Sequence, residues 1–209
     1  NQKRSVSTGE RNSADMKGRD SGMPHKEMWE GFFDPAQILA VMGLGEDAGD
    51  IVEFGCGYGT FTIPAAKMIR GIVHAIDIDA EMAAQTKEAA AKSGVKNIHV
   101  ILRDFLAKGT GLKDESVDYV MLFNILHVEA PEVLLRESWR VLKPAGKLGM
   151  IHWNYDAATP RGPAMEIRPK PEQCVAWASA VGFGAPQRHD LKPYHYGIVM
   201  RKGLGKGVL

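Results

Sequence analysis

Between residues 51 and 153 of this 209-residue chain, five short apolar runs recur at intervals that leave room for helices between them. The runs are Ile51–Phe54, Ile72–Ile76, Asn97–Leu102, Val117–Phe123 and Lys147–Trp153. Helices are predicted from Thr60 to Ile69, with Pro64 tolerated in the first turn, and from Ala80 to Lys92, which Gly94 stops. A third is predicted from Pro131 to Leu142, where Val133 and Leu134 share a face with Val141 and Leu142. Lys143-Pro144-Ala145-Gly146 is expected to end it. Strands alternating with helices specify an α/β fold with a doubly wound, mainly parallel sheet. Val117–Phe123 has the continuous apolar character of a strand covered on both faces.

The flanks add to this frame. Residues 1–22 are polar and lack apolar periodicity, so a mobile arm is expected. From Met23 the texture changes, with Met28, Trp29, Phe32 and Phe33 set among charges. Asp34-Pro35 then suits an N-cap and first position for a helix to about Met42. Residues 23–45 are therefore expected to form a helical lid, and residues 50–153 the core. After a helix from Pro171 to Ala180, ended by Gly182, strands are predicted at Pro186–Leu191 and Tyr194–Arg201. Lys192-Pro193 between them suits the turn of an antiparallel pair at the sheet edge. Residues 171–209 complete a seven-stranded, Rossmann-like sheet, and residues 23–209 read as a single domain.

Net charge bounds the partners. Formal charge is +1 and apolar residues make up 44% of the chain. Near-neutrality argues against a dedicated nucleic-acid binder. Nothing approaches the roughly 18 consecutive apolar residues of a spanning helix. No apolar run follows the N-terminal charges as in a signal peptide, so the cytoplasm is the expected compartment. The two cysteines, Cys56 and Cys174, are too few and too far apart for a disulfide framework or a metal cluster. No metal site is expected, and oligomeric state is not legible.

Function is concentrated after the first strand, in Val-Glu-Phe-Gly-Cys-Gly-Tyr-Gly. Glycine at Gly55, Gly57 and Gly59 permits positive φ and close approach by a ligand. A dinucleotide fingerprint, counted from Gly55, requires glycine at position 60, which is Thr60. With Glu53 two residues ahead, the run E-x-G-x-G-x-G instead resembles the first motif of class I S-adenosylmethionine-dependent methyltransferases. A glycine-rich turn without a ligand is the structural alternative.

Ligands of open α/β sheets bind beyond the carboxyl ends of the strands. That rule selects Gly55–Gly59, Asp77, Asp104, Phe123–His127 and His152–Tyr155. Asp77 suits a pair of ribose hydroxyls, because a carboxylate only accepts hydrogen bonds. Its alternative is a helix N-cap, for which Asp79 is better placed. Asp104 suits the adenine amino group, flanked by Phe105, or else caps a local turn. Met82 suits an adenine face or the core.

The resemblance extends in order through EFGCGYG, HAIDID, ILRDF, DYVMLFNILH and RVLKPAG, half of the chain. It is nearest the small-molecule branch that includes ubiquinone/menaquinone-biosynthesis C-methyltransferases. It implies cofactor binding by Glu53, Gly55, Gly57, Gly59, Asp77, Ile78, Met82, Asp104, Phe105 and Asn124. Asp77 would hold the ribose, Asp104 the adenine amine, and Asn124 would lie near the methionine end. Ala145 departs from the pattern, which usually has a second glycine there, in a distal turn.

Methyl transfer from the sulfonium of S-adenosylmethionine to a small organic acceptor, leaving S-adenosylhomocysteine, is the implied reaction. His127 and His152 follow strands at the active edge and are the candidate bases, with a structural hydrogen-bonding role as the alternative. Trp153 and Tyr155 are candidate pocket walls or pack the C-terminal strands. Trp29 and Phe33 belong to the lid or dock on the sheet, and Tyr194, His195 and Tyr196 lie at the rim or the edge. Asn124-Ile125-Leu126-His127 lacks the Pro-Pro-aromatic motif of DNA amino-methylating enzymes. Neither cysteine is placed as a cytosine-C5 nucleophile, several thiols for an arsenic acceptor are lacking, and no catecholate-type metal site is evident. An NAD-dependent oxidoreductase and a non-catalytic cofactor-binding module are the rival readings.

Overall fold

A computed structural model describes residues 24–204. The mobile arm expected at residues 1–22 lies outside them. Helices α1 (Lys26–Glu30) and α2 (Pro35–Val41) lead into β1 (Ile51–Phe54), α3 (Thr62–Met68), β2 (Val73–Asp77), α4 (Ala80–Ser93) and β3 (Ile98–Leu102). There follow α5 (Phe105–Lys108), β4 (Val117–Phe123), α6 (Pro131–Val141), β5 (Leu142–Trp153), α7 (Pro171–Val181), β6 (Gly184–Leu191) and β7 (His195–Arg201).

Local chemistry sets several boundaries. Asp34 accepts from the Gln37 N–H at 3.2 Å, with Pro35 next, so α2 starts as its sequence dictates. Asp79 caps α4 by accepting from the Glu81 N–H at 2.9 Å, and Gly94 ends that helix at φ 72°.

The seven strands lie in the order β3-β2-β1-β4-β5-β7-β6. The first five pair in parallel, whereas β7 is antiparallel to both β5 and β6. Alternate residues of the central strands feed two cores. Val52, Phe54, Val120, Leu122 and Met150 pack with Leu134, Leu135 and Ala178 on the α6–α7 face. Ile51, Tyr119, Met121 and Ile151 pack with Leu39, Met42, Ala65 and Ala66 on the α2–α3 face. Each large side chain fully buried there contributes roughly 1.5–3 kcal/mol relative to exposure.

Three expectations are corrected at their edges. The α6 helix stops at Val141, and the Lys143–Gly146 segment expected to turn is already strand, so β5 begins at Leu142. Ala145 there sits at φ 64°, inside the register shift between the Val117–Leu142 and Tyr119–Lys147 pairs, and pairing with β7 starts only at Lys147. Residues 105–108 form the short helix α5, because Asp104 accepts from the Ala107 N–H and starts a turn that periodicity does not announce. Among the described residues no helix is long and apolar enough to cross a membrane.

Candidate active site

The strand order reverses between β1 and β4, and a cavity of about 390 Å³ opens beyond the carboxyl ends of β1, β2, β4 and β5. Its size falls in the range of small-molecule sites, about 300–1,000 Å³. The glycine turn forms one wall. Gly55, Gly57 and Gly59 take φ values of 73°, 54° and 78°. A Cβ on Gly55 would also come within 3.1 Å of Ile125.

Four N–H groups of this turn are committed inside the protein. Those of Gly55 and Cys56 donate to the Ile76 carbonyl at 2.8 and 3.1 Å, and Gly59 to the Cys56 carbonyl at 2.9 Å. The Gly57 N–H donates to Asp77 Oδ2 at 2.9 Å. A pyrophosphate cradle needs such amides turned outward, so this turn is not built for one.

Two buried acids stand beside it. Asp77 Oδ1 accepts from the Asp79 N–H at 2.9 Å, so each oxygen of Asp77 holds one backbone donor and keeps a second lone pair. Burial raises its pKa, opposed by backbone hydrogen bonds from Asp79, Gly57 and Ile78, while the Asp79 charge raises it further. Glu53 is 3% exposed and accepts from Thr62 Oγ1 at 2.5 Å. Burial pushes its pKa up to about 8, the Thr62 bond lowers it, and the Asp77 charge raises it further. Glu53 is thus largely protonated at neutral pH and prefers to ionise beside a cation.

Polar atoms without partners line the same cavity. Thr60 Oγ1 and both side-chain atoms of Asn124 are buried and unpaired within the protein. Asn124 adopts φ 54° where the chain leaves β4, an uncommon conformation that asparagine tolerates better than most residues. Buried polar groups left unpaired are costly, so these three atoms point to a polar ligand.

The opposite end is aromatic. Trp29 and Trp153 both line the cavity, with ring centroids 6.4 Å apart. Phe32 packs edge-on to Trp153 at 5.3 Å, and Tyr58 Oη donates to the Pro24 carbonyl at 3.2 Å, tying the segment before α1 to the glycine turn. His127 lines the cavity, and its Nδ1 lies 3.4 Å from Nε2 of the fully buried His152. Burial, helped by His127, His195 and Arg168, holds His152 well below its ordinary pKa. His195, packed 4.3 Å from the Trp153 ring, is pushed down to about 3 by burial and by Arg168.

Residues 51–146 match the family model described as a methyltransferase domain. An uncharacterised methyltransferase-like protein of Schizosaccharomyces pombe is 36% identical over 104 residues, 50% of this chain and 38% of that protein. Aklanonic acid methyltransferase of a Streptomyces species is 34% identical over 73 residues, 34% of this chain and 32% of that protein. The chain thus spans less than half the length of these curated relatives. A crystal structure of an S-adenosylmethionine-dependent methyltransferase from Aquifex aeolicus superposes with a TM-score of 0.76. It is 25% identical, covering 92% of this chain and 99% of that one. Residues 51–146 form a methyltransferase domain.

Within the methyltransferase domain and its flanks, Glu53, Gly55, Gly57, Asp77, Ile78, Met82, Phe105, Asn124 and His127 meet at one cavity, joined by Trp29 and Trp153. Five residues selected from sequence lie elsewhere. Gly59 does not line the cavity, and its glycine is required by backbone conformation. Asp104 is a helix cap off the cavity wall, the alternative open from sequence. Phe33 packs against Trp29, Phe61 and His195 behind the wall. Tyr155 faces a second groove, where Lys170 sits over its ring at 4.5 Å. His152 stands behind His127 and does not line the cavity.

Sequence reading missed Thr60, Thr62 and Thr86. Thr62 holds Glu53, and Thr86 Oγ1 donates to the Gly57 carbonyl at 2.8 Å. Their signal is faint, since Thr60 is a hydroxyl of the turn itself and Thr62 and Thr86 lie within the helices that follow the turn and the second strand. Among the described residues no three His, Cys, Asp or Glu side chains cluster as a metal site would need.

Proposed function

We propose that the methyltransferase domain binds S-adenosylmethionine in the switch-point cavity and moves its methyl group to a small organic acceptor at the aromatic end. One observation carries this reading. The unpaired Thr60 and Asn124 atoms share a cavity with the half-used carboxylate of Asp77 and the buried acid Glu53. A ligand with a cationic, amino-acid-like end and a pair of adjacent hydroxyls suits all of these groups.

In this reading Asp77 takes the ribose hydroxyls on its remaining lone pairs. Ile78, Met82, Phe105 and Leu106 enclose the base. Asn124, Thr60 and Glu53 receive the charged end, and Glu53 ionises beside it, releasing its proton to solvent. S-adenosylmethionine supplies a methyl group on a sulfonium, already activated for in-line displacement by an acceptor, with S-adenosylhomocysteine as product. The chain's own part is placement and exclusion of water. Holding two reactants at near-attack distance is worth roughly 7–11 kcal/mol. Trp29, Trp153 and Phe123 supply a dry wall for that purpose, with α1 as a lid over the cavity. The Streptomyces relative's name supports a small organic acceptor, in keeping with the C-methyltransferase resemblance.

Calorimetry with both cofactors tests the reading. S-adenosylmethionine and S-adenosylhomocysteine are expected to bind at one site and NAD not at all. Binding of NAD without S-adenosylmethionine would overturn it, as the committed amides of the glycine turn already argue against. Transfer of labelled methyl to pools of small organic acceptors then separates an enzyme from a binding module.

A further inference from the structure

Trp153 lines the aromatic end of the cavity, and the chain that follows it folds back onto its ring. Residues 154–170 connect β5 to α7 without helix or strand, a longer run than the roughly 12–15 residues that compact domains usually leave irregular. Between Asn154 and Ile167 only Pro163 is buried, so this segment has no apolar core of its own to set its shape. Its anchor is polar. Arg168 is 7% exposed, and its guanidinium gathers the segment around it. Nη1 donates to the Asn154 and Asp156 carbonyls, both at 3.1 Å, and to Thr159 Oγ1 at 2.6 Å. Nη2 donates to the Arg161 and Pro163 carbonyls at 3.3 and 2.9 Å, and Nε to the Pro163 carbonyl at 3.1 Å.

These partners are four backbone carbonyls and one hydroxyl, with no carboxylate among them. A guanidinium paired in this way spends its charge on the course of the main chain. Hydrogen bonds from a charged donor are roughly twice as strong as neutral ones. Gly162 shows what the clasp holds. It takes φ 113°, and a Cβ there would lie 2.8 Å from Trp153 Cγ, 3.0 Å from Trp153 Cδ1 and 2.9 Å from Arg168 Nη2. The main chain at Gly162 thus lies against the pyrrole side of the indole, while the carbonyls of its two neighbours, Arg161 and Pro163, are held by Arg168. We propose that Arg168 is a positioning residue that keeps the main chain at Gly162 against Trp153 and so fixes the wall of the cavity's aromatic end. Arg168 lines the second groove and not the cavity, so its effect passes through Trp153. Lysine, a point charge with three donors, cannot serve five acceptors spread around a planar fork. That this wall faces a methyl acceptor rests on the function proposed above, whereas the clasp does not.

Fluorine NMR of protein carrying fluorotryptophan reads the wall directly. The Trp153 line is assigned by its loss in Trp153→Phe, and the line of Trp139, which packs on Phe183, serves as control. Arg168→Ala is expected to displace or split the Trp153 line and leave the Trp139 line in place. Guanidinium ion, added well below denaturing concentrations, is expected to return the line to its wild-type position, and sodium chloride is not. An unmoved Trp153 line, or one that sodium chloride restores equally well, overturns the clasp. Should Arg168→Ala not fold, Arg168→Lys and Gly162→Ala decide. Both are expected to displace the Trp153 line, and a wild-type line in either overturns the proposal. Affinity for S-adenosylhomocysteine in calorimetry is expected to stay within about tenfold of wild type in both. A larger fall would place the effect at the polar end and overturn the assignment to the aromatic wall. Absence of S-adenosylmethionine binding by the wild-type protein, with the Trp153 line behaving as stated, would sink the cofactor reading alone.

Discussion

At the glycine-turn end of the cavity the turn and the two acids come from strand termini and are fixed by hydrogen bonds, Gly57 to Asp77 and Glu53 to Thr62 among them. At the aromatic end Trp29, His127 and Trp153 come from three separate stretches of chain and are held mainly by ring packing. The first end is a polar mould whose shape belongs to the backbone. The second is a packed surface whose shape belongs to side chains, so the same scaffold can exchange one acceptor for another while the donor end stays fixed. Substitutions at the aromatic end should therefore act first on stability and acceptor choice, and those at the polar end first on cofactor affinity.

Trp153→Ala makes the sharpest test, because this ring is 1% exposed and packs against Trp29, Phe32, Tyr194 and His195. Truncating a buried aromatic of this kind costs about 3–5 kcal/mol. Denaturant unfolding should show that loss, while S-adenosylmethionine affinity in the folded fraction falls less than about tenfold, or 1.4 kcal/mol. A larger affinity loss than stability loss would erase the distinction between the two ends.

Asp77→Ala inverts the pattern. Loss of charge-assisted hydrogen bonds to a ligand costs about 1–3 kcal/mol. Affinity for S-adenosylmethionine should fall by that amount in calorimetry, and unchanged affinity would remove Asp77 from the ribose site. The Gly57 N–H loses its partner in the same variant, so a modest drop in thermal stability accompanies it.

Glu53 gives the polar end a pH signature. Its folded-state pKa of about 8 lies above the ordinary value of 4.5, so the native state keeps a proton that the unfolded chain releases. Stability from this group is full below about pH 4.5 and is lost as pH rises through about 8. His152 and His195 are depressed from 6.5 and act oppositely, but only below that value. Between about pH 6.5 and 8 the Glu53 contribution should dominate, lowering the ligand-free protein's stability by about 2 kcal/mol, since each pH unit is worth up to about 1.4 kcal/mol. Glu53→Gln should flatten that decline in thermal unfolding scans, and an equal slope in both proteins would show that Glu53 is ionised throughout.

The polar end was legible in the sequence because strand termini and glycines are sequence-local signals. Glu53, Gly55, Gly57, Asp77 and Asn124 each follow from where a strand stops, and the structure gathers them at one cavity. Asp104 fails the same rule for a local reason, since its carboxylate turns back to cap α5. The aromatic end was legible only as a list of large rings. Which of Trp29, Phe33, Trp153 and Tyr155 face the cavity depends on packing between distant segments, and periodicity has no access to that. The contact of His127 with His152 at 3.4 Å was equally hidden, because it joins two strand ends 25 residues apart in the chain.

Ala145 provides the smallest effect and a control for both ends. It sits at φ 64° on the β5 segment, well before the cavity residue Trp153, with its carbonyl 3.5 Å from the Arg201 guanidinium. A side chain in this left-handed region costs roughly 1–2 kcal/mol, which glycine avoids. Glycine's greater freedom in the unfolded chain offsets roughly 0.4–1 kcal/mol of that gain. Ala145→Gly should therefore stabilise the protein by about 0.5–1 kcal/mol in denaturant titrations, with cofactor affinity unchanged. A shift in affinity would mean that strain at the far end of β5 is transmitted along the strand to Trp153, and the two ends of the cavity would then have to be treated as one coupled unit.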